Sequence, residues 1–307
     1  MIVPDASGDA RFADYPIVRA ENGLKFYAGS PVTTEDGHNL GTICVLDHNP
    51  RGLDEAQLEA MRALSRQVMS QLELRRNLDE LASITRKAVA LENLVKKYTS
   101  RSVWEKADLS VSSGRLEISD EEVDKTYLFI DVVSFTRLSE SLGSAGTVEL
   151  LNVYFKPMVD VITDHDGDID KFVGDQIFGI FARPRDAVRA ALRIRAEVNE
   201  LNRRRKEQGL LTLDITMGMS HGSAIRANVG GSDRRDNTLI GNVVNIAARL
   251  QGACEPNGIL ITDDLYDLVK QDVRVEKTNR YKLKNLAEVI RAHYITDMED
   301  VLTARAG

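Results

Sequence analysis

Two aspartates, each next to a short apolar run, are the residues of this chain best suited to chemistry. Asp131 follows the apolar run 127–130, and Asp175 comes shortly after the apolar pair 172–173. Runs this short are typical of buried strands, and a carboxylate at the end of such a strand can be aimed at a shared point. Two such carboxylates suit divalent cations, which prefer oxygen ligands and neutralise phosphates. The pair therefore predicts metal-assisted chemistry on a phosphate compound.

Each aspartate also has a plainer interpretation. Asp131 could cap the helix that begins after Ser134, and Asp175 could be a turn residue of a hairpin. The same helix, opened by Phe135 and Thr136, has free N–H groups that can hold a phosphate. The occurrence of both aspartates within longer motifs favours the metal site.

Polar residues at helical and hairpin spacing accompany the two aspartates. Asn245 and Arg249 are four residues apart in a stretch with helical character, which places both on one face. The guanidinium fork of arginine matches phosphate oxygens. Lys171 precedes Asp175 by four residues, so a strand–turn–strand would put the two on different sides of a hairpin.

The segments 127–136, 170–181 and 236–250 together resemble the catalytic domain of class III nucleotide cyclases, most closely the adenylate cyclases. The resemblance implies attack of the ribose 3′-oxygen of ATP on the α-phosphorus, giving 3′,5′-cyclic AMP and pyrophosphate. It also implies two Mg²⁺ or Mn²⁺ ions in each active site, held by Asp131 and Asp175, with the Val132 carbonyl as a further ligand.

The same resemblance assigns the other positions. Lys171 and Thr238 would read the purine, and threonine at this second position is typical of a bacterial subgroup called class IIIb. Asn245 would orient the ribose, and Arg249 would stabilise charge on the transferring phosphate. Family members that form their sites in this way are homodimers in which each chain supplies residues to both sites.

The terminal phosphates have a further candidate ligand in the last part of the chain. Lys284 aligns with a family lysine that contacts them. Asn285 replaces the glycine that usually follows this lysine, so that Lys282 is the alternative. Phe135 and Thr136 complete the predicted substrate-binding set through the start of their helix.

Two alternative functions compete with an adenylate cyclase. A guanylate cyclase is disfavoured by Lys171, because family members that use GTP usually carry glutamate there. A catalytically silent nucleotide-binding or dimerisation module is disfavoured because such members usually lose a metal aspartate or the arginine. A diguanylate cyclase is excluded because the segment 174–176 lacks the Gly-Gly-Asp/Glu-Glu-Phe signature.

Strands alternating with helices in the C-terminal part predict an α+β fold, and the resemblance implies a ferredoxin-like domain with a central, mostly antiparallel sheet. The expected rhythm includes one helix at 135–165 and a strand pair at 211–229. The predicted organisation is a partial GAF-like segment at 1–52, a helical coiled-coil linker at 53–106, a connecting segment at 107–124, the catalytic domain at 125–297 and a tail at 298–307.

The N-terminal part supplies the elements for regulation. Its strand, Asp-Gly turn and second strand between residues 24 and 47 resemble the second half of a GAF domain, which implies an upstream signal. The linker has heptad spacing that favours a parallel coiled coil over a single packed amphipathic helix. The residues of this seam are Leu81, Ile84, Ala88, Leu91, Val95 and Tyr98.

Composition bears on the partners and the cellular location of the protein. The formal net charge of -7 argues against nucleic acid as a partner. No apolar stretch approaches the roughly 18 residues of a membrane span, and no signal peptide opens the sequence. Cys44 and Cys254 are far apart, which fits a reducing cytosol and predicts a cytoplasmic protein.

Overall fold

The computed structural model describes residues 1–114, 117–283 and 289–298. The chain forms two compact units, Met1–Glu92 and Asn93–Gly307. Its helices and strands alternate along the chain as follows: β1 (Ile2–Val3), α1 (Pro16–Arg19), β2 (Phe26–Thr33), β3 (Asn39–Asp47), α2 (Glu55–Tyr98), α3 (Arg101–Ser112), β4 (Glu121–Val132), α4 (Phe135–Asp164), β5 (Asp168–Val173), β6 (Gln176–Phe181), α5 (Pro184–Glu207), β7 (Ile215–Gly230), β8 (Arg235–Ile240), α6 (Asn242–Ala253), β9 (Ile259–Thr262), α7 (Asp263–Val269), β10 (Val273–Lys282) and β11 (Val289–Met298). No helix within these ranges combines the length and apolarity needed to cross a membrane.

The first unit contains a three-stranded antiparallel sheet in the order β1-β2-β3. Strands β2 and β3 form the hairpin predicted from the Asp-Gly pair, and Gly37 in its turn has a φ of 86°. Phe26 and Ala28 of β2 are fully buried against Met61 of α2. The apolar face of this sheet therefore packs on the start of the long helix.

The predicted linker helix is interrupted before residue 106. Helix α2 ends at Tyr98, and α3 begins at Arg101. The carboxylate of Asp168 accepts hydrogen bonds from the backbone N–H groups of Arg101 and Ser102, both at 3.0 Å. A continuous helix would have used these N–H groups internally, so a side chain distant in sequence stabilises the new helix start. The expected connecting segment is correspondingly shorter, because α3 runs to Ser112 and β4 begins at Glu121.

The second unit is built on an eight-stranded sheet, with seven strands in the order β10-β11-β9-β7-β4-β6-β5 and β8 paired to β7. All pairings are antiparallel except that of β7 with β9. Alternate residues of β4 point to opposite faces: Leu128 and Ile130 pack with α4 and α5, while Tyr127 and Phe129 pack with α6. The predicted central, mostly antiparallel sheet with flanking helices is confirmed.

Two elements differ from the predicted order of helices and strands. The helix expected at 135–165 is broken at Gly143, whose φ of 67° is not helical. The strand pair expected at 211–229 is one long strand, β7, and its hairpin partner is β8. The polar segment between Gly230 and Arg235 forms the turn, since Gly230 adopts a φ of 137° there.

Candidate active site

The two predicted metal aspartates lie together at one end of β4. Asp131 is paired in register with Gln176, the first residue of β6. Asp175 immediately precedes Gln176 in the tight turn after β5, and Gly174 with a φ of 64° makes that turn possible. The β5–β6 hairpin therefore brings Asp175 beside Asp131, as the sequence motifs predicted.

The electrostatics of the pair reflect this proximity. Burial and, to a smaller extent, the negative charge of Asp175 raise the pKa of Asp131 to about 6, against the opposing effect of a hydrogen bond from Gln251. Two carboxylates held together in a partly buried place are costly without a positive charge between them. This arrangement is what a cation site requires of its protein ligands.

A buried glutamine that the sequence reasoning did not single out supports Asp131. Gln251 of α6 donates from Nε2 to Asp131 Oδ2 at 3.3 Å and to Thr216 Oγ1 at 2.7 Å. Its Oε1 accepts a hydrogen bond from Gln176 at 3.0 Å. The signal was present in the sequence, because Gln251 continues the core-facing stripe of Val244 and Ala247 and is a polar residue on it.

Helix α6 carries the predicted ribose and phosphate residues. Asn245 is exposed and Arg249 is half-buried, and neither side chain forms a hydrogen bond or ion pair within the described part of the chain. Helix α6 packs closely against β7 because Gly218 of β7 has no side chain. A Cβ at Gly218 would lie 2.1 Å from the Gln251 nitrogen and 2.4 Å from the Ala247 oxygen.

The two predicted purine-reading residues are in direct contact. Lys171 Nζ donates a hydrogen bond to Thr238 Oγ1 at 2.9 Å, which joins β5 to β8. The same ammonium group donates to Asp236 Oδ2 at 3.2 Å. Asp236 was not singled out from the sequence, since nothing in its local pattern places it beside a lysine 65 residues away.

A buried ion pair lies next to this contact. Arg226 Nη1 donates to Asp170 Oδ1 at 3.0 Å, and the side chains are 4% and 1% exposed. Arg226 also donates to Asn237 Oδ1 at 3.1 Å, which connects the pair to β8. Burial raises the pKa of Asp170, and the charges of Arg226 and Lys171 oppose that shift. The sequence reasoning missed this pair, although it flanks Lys171 directly.

The remaining predicted residues are distributed as follows. Val132 ends β4 with its side chain buried, and Phe135 packs against the main core at the start of α4. Lys282 is the exposed last residue of β10. Lys284 lies outside the described residues, as does the side chain of Thr136.

The donor set fits hard divalent cations bound with the help of a substrate. No group of three or more His, Cys, Asp or Glu side chains that could hold a metal occurs within the described ranges. Asp131 and Asp175 supply two carboxylates, and the remaining ligands would have to be backbone carbonyls, waters and phosphate oxygens. Such incomplete protein coordination is usual for Mg²⁺ in sites that act on nucleotides.

Comparison with known proteins identifies the family. The sequence matches the adenylate and guanylate cyclase catalytic domain over residues 119–297 and the GAF domain over residues 1–72. The chain belongs to the adenylate and guanylate cyclase family, and its N-terminal part is GAF-like, as the motifs predicted.

Solved structures agree with this assignment. The adenylyl cyclase CyaB from P. aeruginosa superposes with a TM-score of 0.55 at 30% identity, covering 58% of this chain and 96% of that one. The guanylyl cyclase Cya2 superposes with a TM-score of 0.54 at 26% identity, covering 58% and 94%. A bacterial light-regulated adenylyl cyclase shares the fold, with a TM-score of 0.60 at 24% identity over 70% of this chain and 64% of that one.

Curated relatives include adenylate cyclases much longer than this chain. Adenylate cyclase 1 of Rhizobium meliloti is 31% identical over 134 residues, and the adenylate cyclase of Anabaena cylindrica is 32% identical over 148 residues. These matches cover 41% and 46% of this chain but only 20% and 30% of the relatives. The chain thus spans less than a third of the length of either protein.

Proposed function

We propose that this protein is an adenylate cyclase that converts ATP to 3′,5′-cyclic AMP and pyrophosphate. The observation that carries the choice of ATP is the 2.9 Å hydrogen bond between Lys171 Nζ and Thr238 Oγ1. It places a cationic donor beside a hydroxyl group that can act as an acceptor. Adenine presents a ring-nitrogen acceptor next to an amino donor, which is the complementary pattern.

The reaction forms a bond between O3′ and the α-phosphorus and breaks the bond from that phosphorus to the pyrophosphate oxygen. The O3′ proton is released to water. Asn245 would orient the ribose, and Arg249 would donate to the α-phosphate oxygens as negative charge is redistributed. Both side chains are available for these roles, since neither has a side-chain partner in the described part of the chain.

Asp131 and Asp175 would hold the metal ions, with the Val132 carbonyl as a further ligand. Bound Mg²⁺ or Mn²⁺ would lower the pKa of the 3′-hydroxyl and neutralise the polyphosphate. This proposal is supported by the proximity of the two carboxylates, since Asp175 raises the pKa of Asp131, and by the hydrogen bond from Gln251 that orients Asp131. The first turn of α4, at Phe135 and Thr136, would offer backbone N–H groups to the phosphates.

We further propose a homodimer with two shared sites, each taking its aspartates from one chain and its purine-reading and α6 residues from the other. The α2 helix supports this, because its apolar seam is exposed in the single chain: Leu81 is 59%, Ile84 is 56% and Leu91 is 62% exposed. A parallel coiled coil would cover that seam. A signal received by the GAF-like region would act through this helix.

The dimer can be tested by cross-linking. Ile84→Cys in a Cys44→Ser chain should form a disulfide-linked dimer on mild oxidation, because Ile84 would face its counterpart. Arg86→Cys, two residues away and outside the seam, is the control. Equal cross-linking of both variants, or none in either, would contradict a parallel coiled coil at this register.

The function is tested by measuring product from ATP and from GTP with Mn²⁺ and with Mg²⁺. Cyclic AMP from ATP alone is expected, and it should be lost in Asp131→Ala. Asp267→Ala should retain activity, because Asp267 is an exposed residue of α7 whose carboxylate pairs with Lys270. Cyclic GMP as the main product would instead indicate a guanylate cyclase, and the absence of any product from a dimeric protein would indicate a silent module.

A further inference from the structure

Two side chains of β8 contact the Lys171 ammonium group, and only one of them was expected to read the nucleotide. Asp236 and Thr238 are two residues apart on a strand, so they point to the same side. Their distances to Lys171 Nζ are 3.2 Å and 2.9 Å. Asn237, between them, points the other way and bonds to Arg226 and Asn228. The alternation therefore presents a carboxylate and a hydroxyl group together beside the lysine.

A hydroxyl group alone is a poor discriminator between adenine and guanine. The Thr238 hydroxyl can accept a hydrogen bond from an amino group or donate one to a carbonyl oxygen. An ionised carboxylate can only accept. It would favour the 6-amino group of adenine and repel the 6-oxygen of guanine. An acceptor-only group beside Lys171 and Thr238 would therefore strengthen the selection for ATP.

Asp236 is the carboxylate that is available for this purpose. Its side chain is 74% exposed, so most of its surface is free to meet a ligand. The other carboxylate near Lys171 is that of Asp170, with Oδ2 at 3.5 Å, but its side chain is only 1% exposed and it is bonded to Arg226. An ammonium group has three N–H donors, so the two bonds from Lys171 to β8 leave one for a ring nitrogen of the purine.

We propose that Asp236 is a specificity-determining residue whose carboxylate accepts a hydrogen bond from the 6-amino group of the bound purine. This inference rests on the proposed cyclase function and adds Asp236 to Lys171 and Thr238 as a residue that discriminates between purines. Lys171 has two roles in this arrangement, since it donates to the ring nitrogen and holds the Asp236 carboxylate in place.

The experiment compares kcat/KM for three triphosphates: ATP, GTP and purine riboside triphosphate, which has no 6-substituent. Asp236→Ala and Asp236→Asn are measured beside the wild type. Asp233→Asn removes a negative charge from the same hairpin turn and is the matched control, since the Asp233 carboxylate contacts Ser232 rather than Lys171. Because Asp236 is exposed, neither of its variants removes a buried contact.

Loss of a hydrogen bond to a charged group predicts a fall of roughly tenfold to a hundredfold in kcat/KM for ATP in Asp236→Ala. The value for purine riboside triphosphate should stay within about twofold, because that substrate has no amino group to lose a partner. Asp236→Asn should raise the kcat/KM for GTP relative to that for ATP, since the asparagine amide can donate a hydrogen bond to the 6-oxygen of guanine. Asp233→Asn should behave as the wild type.

Two results would overturn the inference while leaving the cyclase function intact. Equal losses for ATP and purine riboside triphosphate would mean that Asp236 only holds Lys171. If the ratio of kcat/KM for ATP to kcat/KM for GTP is unchanged in both Asp236 variants, Asp236 has no role in selecting the purine. A wild-type protein without cyclase activity towards any of the three would count against the proposed function itself.

Discussion

The side chain of Gln251 donates a hydrogen bond to Oδ2 of Asp131 at 3.3 Å, across 120 residues of sequence. It joins helix α6, which carries Asn245 and Arg249, to the end of β4, where the proposed metal ligand Asp131 lies. The same amide is held by Thr216 and Gln176, so its orientation is determined by two strands. A displacement of α6 from the sheet would therefore weaken the hydrogen bond that orients the Asp131 carboxylate.

Replacing Gln251 by leucine should weaken metal binding. Leucine keeps most of the buried volume but cannot orient the carboxylate, and loss of such a supporting contact typically costs 10–100-fold in metal affinity. The measurement is the Mn²⁺ concentration that gives half-maximal activity. Gln176→Leu should have a smaller effect, because the Gln176 side chain bonds to Gln251 and meets Asp131 only through the backbone pairing of β4 with β6. Identical metal dependence in the wild type and Gln251→Leu would refute this role.

Asp168→Ala should destabilise the second unit. The substitution removes both acceptors of the Arg101 and Ser102 N–H groups at the start of α3, and loss of a helix cap costs about 1 kcal/mol. Urea unfolding followed by circular dichroism would measure the change. Asp164→Ala, at the exposed end of α4, is the control and should have little effect. Equal midpoints for the two variants would show that the cap contributes nothing.

Gly218→Ala should be more disruptive than any ordinary surface change. The added methyl group would overlap the backbone of α6 at Gln251 and Ala247, so the helix would have to move away from β7. Overpacking of this kind costs about 1–3 kcal/mol. Gly252 lies near the end of the same helix and has open space around it. Gly252→Ala should therefore stabilise the protein slightly, because alanine favours a helix more than glycine does. Thermal unfolding of the two variants gives the comparison, and similar melting temperatures would contradict the close packing.

The two cysteines should differ sharply in reactivity. Cys44 is exposed, whereas burial raises the pKa of Cys254 to about 11. At pH 8 a thiol with that pKa has only about a thousandth of its molecules as thiolate, which is the reactive form. Ellman's reagent should therefore label one thiol per chain rapidly and the second only after denaturation. A rapid phase that persists in Cys44→Ser would show that Cys254 is accessible and ionised.

Much of this protein could be predicted from local patterns. The apolar run before Asp131, the Gly-Asp pair at Asp175 and the four-residue spacing of Asn245 and Arg249 depend on residues that are near one another in the chain. Alternation and helical periodicity act over the same short range. The strands, helices and family of the catalytic domain followed from them, and the comparisons confirmed the family.

Other features depend on residues that meet only when the chain has folded. Gln251 beside Asp131, Asp236 beside Lys171 and Asp168 at the start of α3 are separated by 120, 65 and 66–67 residues. The break between α2 and α3 was missed for the same reason, because the cap that stabilises it comes from β5. A local pattern states what a residue can donate or accept, but its partner is chosen by strand register and helix packing, which are properties of the whole sheet.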